Sequence, residues 1–330
     1  MEKISVIIPC RNEEKHIEKC IISILQQDYS KEAVEFIFVD GMSTDNTRKI
    51  IAEYSSHHQN IHLIDNPKLF VPYALNEGIK NASGDIIIRL DAHSSYSINY
   101  ISTLSKKLLE LNADNVGCVC HTDVLNKTPK TLAIKEVLSS PFGVGNSSFR
   151  TGVEKITETD TVPFGCYRRD VFDRFGYYNT ELTRNQDIEL NKRIKAAGGK
   201  IYLIPDVLCT YYARETFGDI ARNNYGNGLW NILTIKITRN FSSLSPRHFV
   251  PLIFILSLIL PIAFTPLWWP LGLISGASLF CYLLVLCIIC TKYSITKKLN
   301  FIYLFWSFAV LHFSYATGSF VGIFKSVKKK

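Results

Sequence analysis

Asp91 and His93 stand two residues apart at the end of an apolar run, Ile86-Ile87-Ile88-Arg89-Leu90. The run reads as a buried strand, and ligands of open α/β sheets bind just outside the carboxyl ends of strands. A turn there can aim a carboxylate and an imidazole at one metal ion or phosphate; a solvated turn has the same two residues. Asp40 directly follows another such run, Phe36-Ile37-Phe38-Val39, and opens the small, acidic stretch Asp40-Gly41-Met42-Ser43-Thr44-Asp45-Asn46-Thr47. A carboxylate in that place is a candidate ligand contact, whereas Asp45 suits the N-cap of a helix over Thr47 to Tyr54. Asp187, in Arg184-Asn185-Gln186-Asp187-Ile188-Glu189-Leu190, opens a helical pattern. There a carboxylate ordinarily serves as a cap or macrodipole partner. Arg214 and Arg222 have the chemistry to hold a diphosphate, and equally that of solvated surface residues.

The elements that must position these groups alternate. Ser5-Val6-Ile7-Ile8-Pro9 reads as a first strand, stopped by Pro9, which has no N–H for a ladder. Arg11-Asn12-Glu13-Glu14 follows, with Asn12 as expected N-cap of a helix whose face is Ile17, Cys20, Ile21, Ile24 and Leu25. Phe36 to Val39 and Ile61 to Ile64 are further strands, with a helix over Ala74 to Ala82 ended by Gly84 before Ile86 to Leu90. Strand-helix alternation implies a largely parallel sheet. The first strand is not followed by Gly-x-Gly-x-x-Gly, which disfavours a dinucleotide-binding domain. Ile98 to Leu111 reads as a helix, Val116 to Cys120 and Ile201 to Ile204 as strands. Pro141 to Arg150 is a glycine- and serine-rich loop, either a mobile substrate loop or a connector.

The 330 residues allow two domains. The formal charge is +8 and 47% of residues are hydrophobic, with the apolar excess concentrated after Phe249. Phe249 to Thr265 and Leu271 to Cys290 are free of charge and separated by Pro266-Leu267-Trp268-Trp269-Pro270. About 20 apolar residues cross a bilayer, so the pattern reads as two membrane helices joined by a tight turn with interfacial tryptophans. Phe301 to Phe324 is a third candidate, softened by His312, Ser314, Thr317 and Ser319. Arg239 and Arg247 precede the hairpin; Lys292, Lys297 and Lys298 follow it, and both sets face the cytoplasm if the hairpin crosses twice. A third full crossing would put Lys325, Lys328, Lys329 and Lys330 outside, against that rule. Either the rule fails at this tail or the third segment is re-entrant or interfacial. A basic tail beside apolar segments points to a membrane surface, and without aromatic stacking platforms among basic residues nucleic acid is not expected as a partner. The nine cysteines form no paired Cys-x-x-Cys framework, which argues for reduced thiols over zinc or disulfides. The chain enters its first strand at once, with no signal-peptide apolar region.

Taken together, Pro9 with Arg11-Asn12-Glu13, Val39 to Thr47, Arg89-Leu90-Asp91-Ala92-His93 and Asn185-Gln186-Asp187 resemble glycosyltransferase family 2, and most closely its membrane-associated members of bacterial exopolysaccharide assembly, the succinoglycan type. Arg184 to Asn191 and Tyr225-Gly226-Asn227-Gly228 are similar to that subgroup. The resemblance implies an α/β GT-A fold: a Rossmann-like, mostly parallel sheet flanked by helices. It covers a cytoplasmic catalytic domain over 1–240, followed by a membrane region over 241–330. It implies a metal-dependent hexosyltransferase that moves one sugar, with inversion, from a nucleotide-sugar (UDP-linked) to a lipid-linked saccharide on a polyprenyl diphosphate, at the inner or plasma membrane. By the same likeness Pro9, Glu13 and Asp40 line the nucleoside pocket, and Arg11 and Arg89 join the donor site. Asp91-Ala92-His93 takes the place of the family's Asp-x-Asp, so that Asp91 and His93 hold Mn²⁺ or Mg²⁺ on the donor diphosphate, helped by Arg214 or Arg222. Asp187 takes the place of the catalytic base, and Gln186 stands where many relatives have Glu. An imidazole ligand shifts preference toward Mn²⁺ relative to an all-carboxylate site.

A processive polysaccharide synthase is the nearest rival reading. It would want a Gln-x-x-Arg-Trp motif and enough helices for a pore, where the chain offers only Arg222 to Trp230 and three apolar segments. A nucleotidyltransferase, also α/β with metal-binding carboxylates, would release pyrophosphate instead of a nucleoside diphosphate. A non-catalytic membrane-bound sugar-nucleotide binder would tolerate loss of the Asp187 carboxylate.

Overall fold

The computed structural model describes residues 2–145 and 147–327; Met1, Asn146 of the glycine-rich loop, and Lys328, Lys329 and Lys330 of the basic tail lie outside the described residues. The chain divides into two compact units, one of Met1–His121 with Ser148–Tyr212, the other of Thr122–Ser147 with Ala213–Lys330.

The first unit is built on one sheet. Its elements are β1 (Ile4–Cys10), α1 (Ile17–Leu25), β2 (Val34–Asp40), α2 (Thr47–His57), β3 (Ile61–Asp65), α3 (Val71–Asn81), β4 (Ile86–Arg89), β5 (Ser94–Tyr96), α4 (Tyr100–Glu110) and β6 (Asn115–Asp123). After the second unit's α5 (Pro129–Ser139) and α6 (Pro141–Val144) come α7 (Ser148–Thr151), β7 (Thr157–Glu158), β8 (Cys166–Arg168), α8 (Asp170–Phe175), α9 (Gln186–Ala196) and β9 (Ile201–Tyr212). The strand order is β3-β2-β1-β4-β8-β6-β9-β5, with β7 paired to β9. β1 to β4 run parallel. β8 then joins β4 and β6 antiparallel, as do β5 and β7 with β9, so the sheet is mixed.

β1 is buried along its whole length, as expected of a parallel strand covered on both faces. Alternate residues serve opposite sides. Ile4, Val6 and Ile8 meet Ile17, Ile21 and Ile24 of α1 in one core cluster, while Ile7, Ile37 and Val39 meet Ala74, Leu75 and Ile79 of α3 in the other. α3 comes so near that a Cβ on Gly78 would collide with the Ile7 side chain. The parallel register then lines up the carboxyl ends: Cys10 opposite Asp40, and Asp40 opposite Asp65. One edge of the sheet therefore gathers the ends of β1, β2, β3 and β4.

Asn12 does not cap α1. It takes a left-handed conformation (φ 55), and the helix starts only at Ile17, behind His16. Its side-chain oxygen instead accepts from the Thr44 N–H at 2.8 Å, tying the β1 loop to the β2 loop. Asp45 does bond the α2 start, accepting from the Thr47 N–H (3.0 Å) and hydroxyl (2.6 Å).

The second unit is helical: α5, α6, α10 (Phe217–Thr238), α11 (Val250–Ala263), α12 (Leu271–Lys297) and α13 (Phe301–Phe324). Among the described residues three helices are long and apolar enough to cross a membrane: Pro246–Ala263, Leu271–Lys297 and Phe301–Phe324. α12 runs past the expected end at Cys290, so Lys292 and Lys297 belong to its last turns. α11 and α12 form the expected hairpin: Ser257 and Ser278 hydroxyls are 2.7 Å apart, and Trp268 and Trp269 stand exposed in the turn.

Candidate active site

A cleft of about 210 Å³ opens at the gathered strand ends of the first unit, walled by Pro9, Cys10, Arg11, Glu13, Gly41, Asn66, Leu69, Val71, Ala74, Arg89, Asp91, His93 and Gln186. Of the residues named from sequence, Pro9, Arg11, Glu13, Arg89, Asp91 and His93 share this wall. Asn66, Leu69, Val71 and Gln186 were not foreseen as wall residues. Asn66 follows β3 directly, so the strand-end rule that pointed to Asp40 and Asp91 applied to it as well.

Arg89, the last residue of β4, is 8% exposed. Its Nη2 donates to Asp91 Oδ1 at 3.0 Å and its Nη1 to Asp187 Oδ2 at 3.4 Å. Burial pulls its pKa down, but the adjacent charges of Asp91 and Asp187 outweigh burial and hold the guanidinium above its usual range. One buried cation thus fixes both carboxylates. The backbone of Asp91 is fixed separately: its N–H donates to the Tyr96 hydroxyl at 2.8 Å, and that hydroxyl donates back to the Asp91 carbonyl at 3.0 Å. Burial keeps the Tyr96 phenol well above its usual pKa, so it remains a neutral donor. Tyr96 is the far end of the three-residue strand β5, held against β9.

His93 Nδ1 lies 3.3 Å from Glu13 Oε1, so the β4 turn and the β1 loop meet across the cleft. Asp91 and His93, the pair expected to hold a cation, both stand on this wall, as does the Glu13 carboxylate beside His93. Among the described residues no third His, Cys, Asp or Glu joins them in a three-ligand cluster. That donor set fits a cation completed by oxygens of a bound diphosphate, the usual manner for Mg²⁺, and not an all-protein cage. Two buried polar atoms of the wall, Arg89 Nε and Gln186 Oε1, have no hydrogen-bond partner, which marks the place as built for a polar ligand.

Asp187 is the second residue of α9. Its Oδ1 accepts from the Ile188 N–H at 2.9 Å and its side chain is 30% exposed. The preceding Asn185 is left-handed (φ 63), and so turns the start of α9. Asn12, Met42 and Leu69 are left-handed too, at φ 55, 57 and 70. Leu69 lines the cleft; Asn12, Met42 and Asn185 each adjoin a lining residue. Backbone strain of this kind collects at ligand sites, held by the surrounding structure.

Asp40 does not open onto the cleft. It is fully buried; Oδ2 accepts from the Ser43 N–H (2.9 Å) and Arg48 Nη1 (2.7 Å), and Oδ1 from the Ser43 hydroxyl (2.5 Å). It folds the loop that brings Gly41 to the wall. Arg214 and Arg222 belong to the second unit. Arg222 is largely exposed and its Nη1 donates to Asp219 Oδ1 at 3.0 Å, one turn away.

A family model, glycosyl transferase family 2, matches residues 5–176. A dolichyl N-acetyl-α-D-glucosaminyl phosphate 3-β-D-2,3-diacetamido-2,3-dideoxy-β-D-glucuronosyltransferase of Methanococcus voltae is 31% identical over 242 residues, 72% of this chain and 75% of that protein. The succinoglycan biosynthesis protein ExoA of Rhizobium meliloti is 29% identical over 68% of this chain and 67% of its own length. Among solved structures, a mannosyltransferase of Pyrobaculum calidifontis in complex with GDP-Man and Mn²⁺ shares the fold. Its TM-score is 0.62 at 18% identity, over 98% of this chain and 87% of that one.

Proposed function

Because the chain belongs to glycosyltransferase family 2, we propose that it moves one sugar from a UDP-linked nucleotide-sugar to a lipid-linked saccharide, with inversion at the anomeric carbon. The observation that carries this reading is the single buried guanidinium of Arg89 between Asp91 and Asp187. It sets an ion-binding carboxylate and a half-exposed base on either side of one charge, at the edge of one cleft.

Asp187 removes the proton from the acceptor hydroxyl. The freed oxygen forms its bond to the anomeric carbon as the bond from that carbon to the diphosphate oxygen breaks, and the electron pair leaves with the nucleoside diphosphate. Asp91 and His93 would hold the divalent cation, Mn²⁺ or Mg²⁺, which supplies positive charge to the leaving diphosphate. Arg89 orients Asp187 through its Nη1, 3.4 Å from Oδ2. Pro9, Arg11 and Glu13 line the nucleoside end, Asp40 shapes it through the Gly41 loop, and Arg214 and Arg222 remain candidates for diphosphate contact.

The relatives support a lipid-linked acceptor and a place in surface polysaccharide synthesis: one is a transferase for a dolichyl-linked sugar phosphate, another serves succinoglycan biosynthesis. Nucleotide-sugars are cytosolic, so residues 1–240 act as the cytoplasmic catalytic part and 241–330 as the membrane part. Arg239, Arg247, Lys292, Lys297 and Lys298 all suit the cytoplasmic side.

The test uses the full-length protein in lipid with a panel of nucleotide-sugars and a lipid-linked acceptor, reading the nucleoside diphosphate released and the product length. One added sugar and a free nucleoside diphosphate are expected; pyrophosphate or a polymer would overturn the reading. Asp187→Asn should keep donor binding and lower transfer by about 10²–10⁴-fold, the usual share of a general base. Wild-type turnover in that variant would remove Asp187 from the mechanism.

A further inference from the structure

The third apolar helix differs from the other two in what supports it. In its most apolar window α13 is 44% buried within the protein, against 17% for α12 and none for α11. Its second half packs backbone to backbone on α10: a Cβ on Gly318 would collide with the Tyr225 carbonyl, and one on Gly228 with the Tyr315 carbonyl. A Cβ on Gly322 would meet Ile232 at 2.9 Å. Asn231 donates to the Tyr315 hydroxyl. Lys236 Nζ donates to the carbonyls of Ile323 and Lys325 at 2.6 and 2.9 Å, closing the helix end. The first half rests on α5 and α6: the Phe142 and Phe308 rings are 5.2 Å apart, and His312 Nε2 donates to the Phe142 carbonyl at 2.8 Å. Beside that half, Lys297 Nζ pairs with Glu136 at 2.7 Å.

Both supports are polar. α5 carries Lys130, Lys135 and Glu136; α10 carries Asp219, Arg222, Asn223, Asn224, Asn227, Asn231 and Lys236. α10 has 22 residues and is not among the three helices apolar enough to cross. If α13 spanned the bilayer, one of these supports would enter hydrocarbon with it, where a lysine at mid-depth costs about 2.5–3.5 kcal/mol. The opposite face of α13 is different. Ile302, Trp306, Phe313, Thr317 and Phe324 fall on one side at helical spacing; Ile302, Trp306 and Phe324 are exposed. In the middle of that face Phe313 packs on Phe254 of α11 and Tyr282 of α12.

We propose that α13 lies flat in the cytoplasmic membrane interface, its Ile302–Trp306–Phe324 face turned to lipid, and leaves the crossing to α11 and α12. Trp306 suits that depth, where aromatic rings gather. The arrangement places Lys297 and Lys298, before α13, on the same side as Lys325, directly after it, as the positive-inside pattern requires.

The experiment asks on which side the two ends of α13 lie. Full-length chains carrying green fluorescent protein or alkaline phosphatase after Lys330 are expressed in a bacterial host. The proposal expects a fluorescent first fusion and background phosphatase activity in the second; active phosphatase would overturn it. Independently, protease sites are placed at 298–300 and after Lys330 and challenged in sealed vesicles of one orientation. Cleavage or protection of both together supports the flat helix, and cleavage of one without the other overturns it. An insertion at 298–300 that fails to fold leaves the C-terminal fusions as the deciding measurement.

Discussion

At the residue scale the centre of the molecule is Arg89. From sequence it looked like a donor contact; its guanidinium is already committed to Asp91 and Asp187. What the strand pattern conveyed was where Arg89 sits. What it left out was Asp187, 98 residues away in sequence, turning back onto the same charge. Asp40 is turned from the cleft by partners close in sequence instead. A carboxylate after a buried strand reads as a ligand contact only until Ser43 and Arg48 fold onto it. His93 is the departure from the family's Asp-x-Asp, and it yields a residue-scale prediction. His93→Asp replaces imidazole by a harder oxygen ligand, so the ratio of Mn²⁺ to Mg²⁺ affinity should fall about tenfold, near 1.4 kcal/mol. Titration of Mn²⁺ by paramagnetic resonance with Mg²⁺ competition reads this without turnover. An unchanged ratio would remove His93 from the cation site.

At the element scale, continuous apolar runs made β1, β2 and β4 legible because both their faces are covered, while β3, at the sheet edge, is only partly buried and was read from its short apolar stretch. β5 and β8 were not legible. They are three residues each, too short for periodicity, and exist through antiparallel pairing with strands distant in sequence. Yet β5 supplies Tyr96 and β8 continues the sheet beyond β4. The start of β6 is pinned by Asp114, which accepts the Lys200 N–H at 2.8 Å and pairs with Arg174 and Arg168. Burial opposes its charge, but the Lys200 N–H and the two arginines outweigh burial and hold its carboxyl below the usual range. A depressed folded-state pKa means stabilisation that is complete above the unfolded value near 3.9. That stabilisation disappears as pH falls through the folded value. Asp114→Asn should therefore lower the Tm of the detergent-solubilised chain by roughly 1–3 °C at pH 7, as a loss of about 1–2 kcal/mol does in a chain of this size. The gap to wild type should narrow as pH falls below the unfolded value near 3.9 and through the lower folded value. A gap independent of pH would mean that packing, not charge, accounts for the loss.

At the scale of the whole molecule the composition carried more than any motif, because an apolar excess confined to one end has few physical uses. α11 and α12 leave Val250, Ile253, Leu273, Phe280 and Ile288 exposed at 61, 64, 61, 66 and 59%, and the turn between them exposes Leu267 at 81%. At roughly 25 cal/mol per Å² of apolar surface, no soluble state of the full chain can leave two such helices in water. Electrostatic attraction of the basic groups to anionic lipid also acts, but it is screened within about 8 Å at physiological salt. The two forces separate experimentally. Washing membranes with high salt and then with alkaline carbonate removes proteins held by charge and leaves those held by inserted helices. The full chain should stay in the pellet through both washes and leave it only with detergent. Release by carbonate would mean that α11 and α12 lie on the surface and do not cross; retention through both washes would mean that they are inserted, as their exposed apolar side chains require.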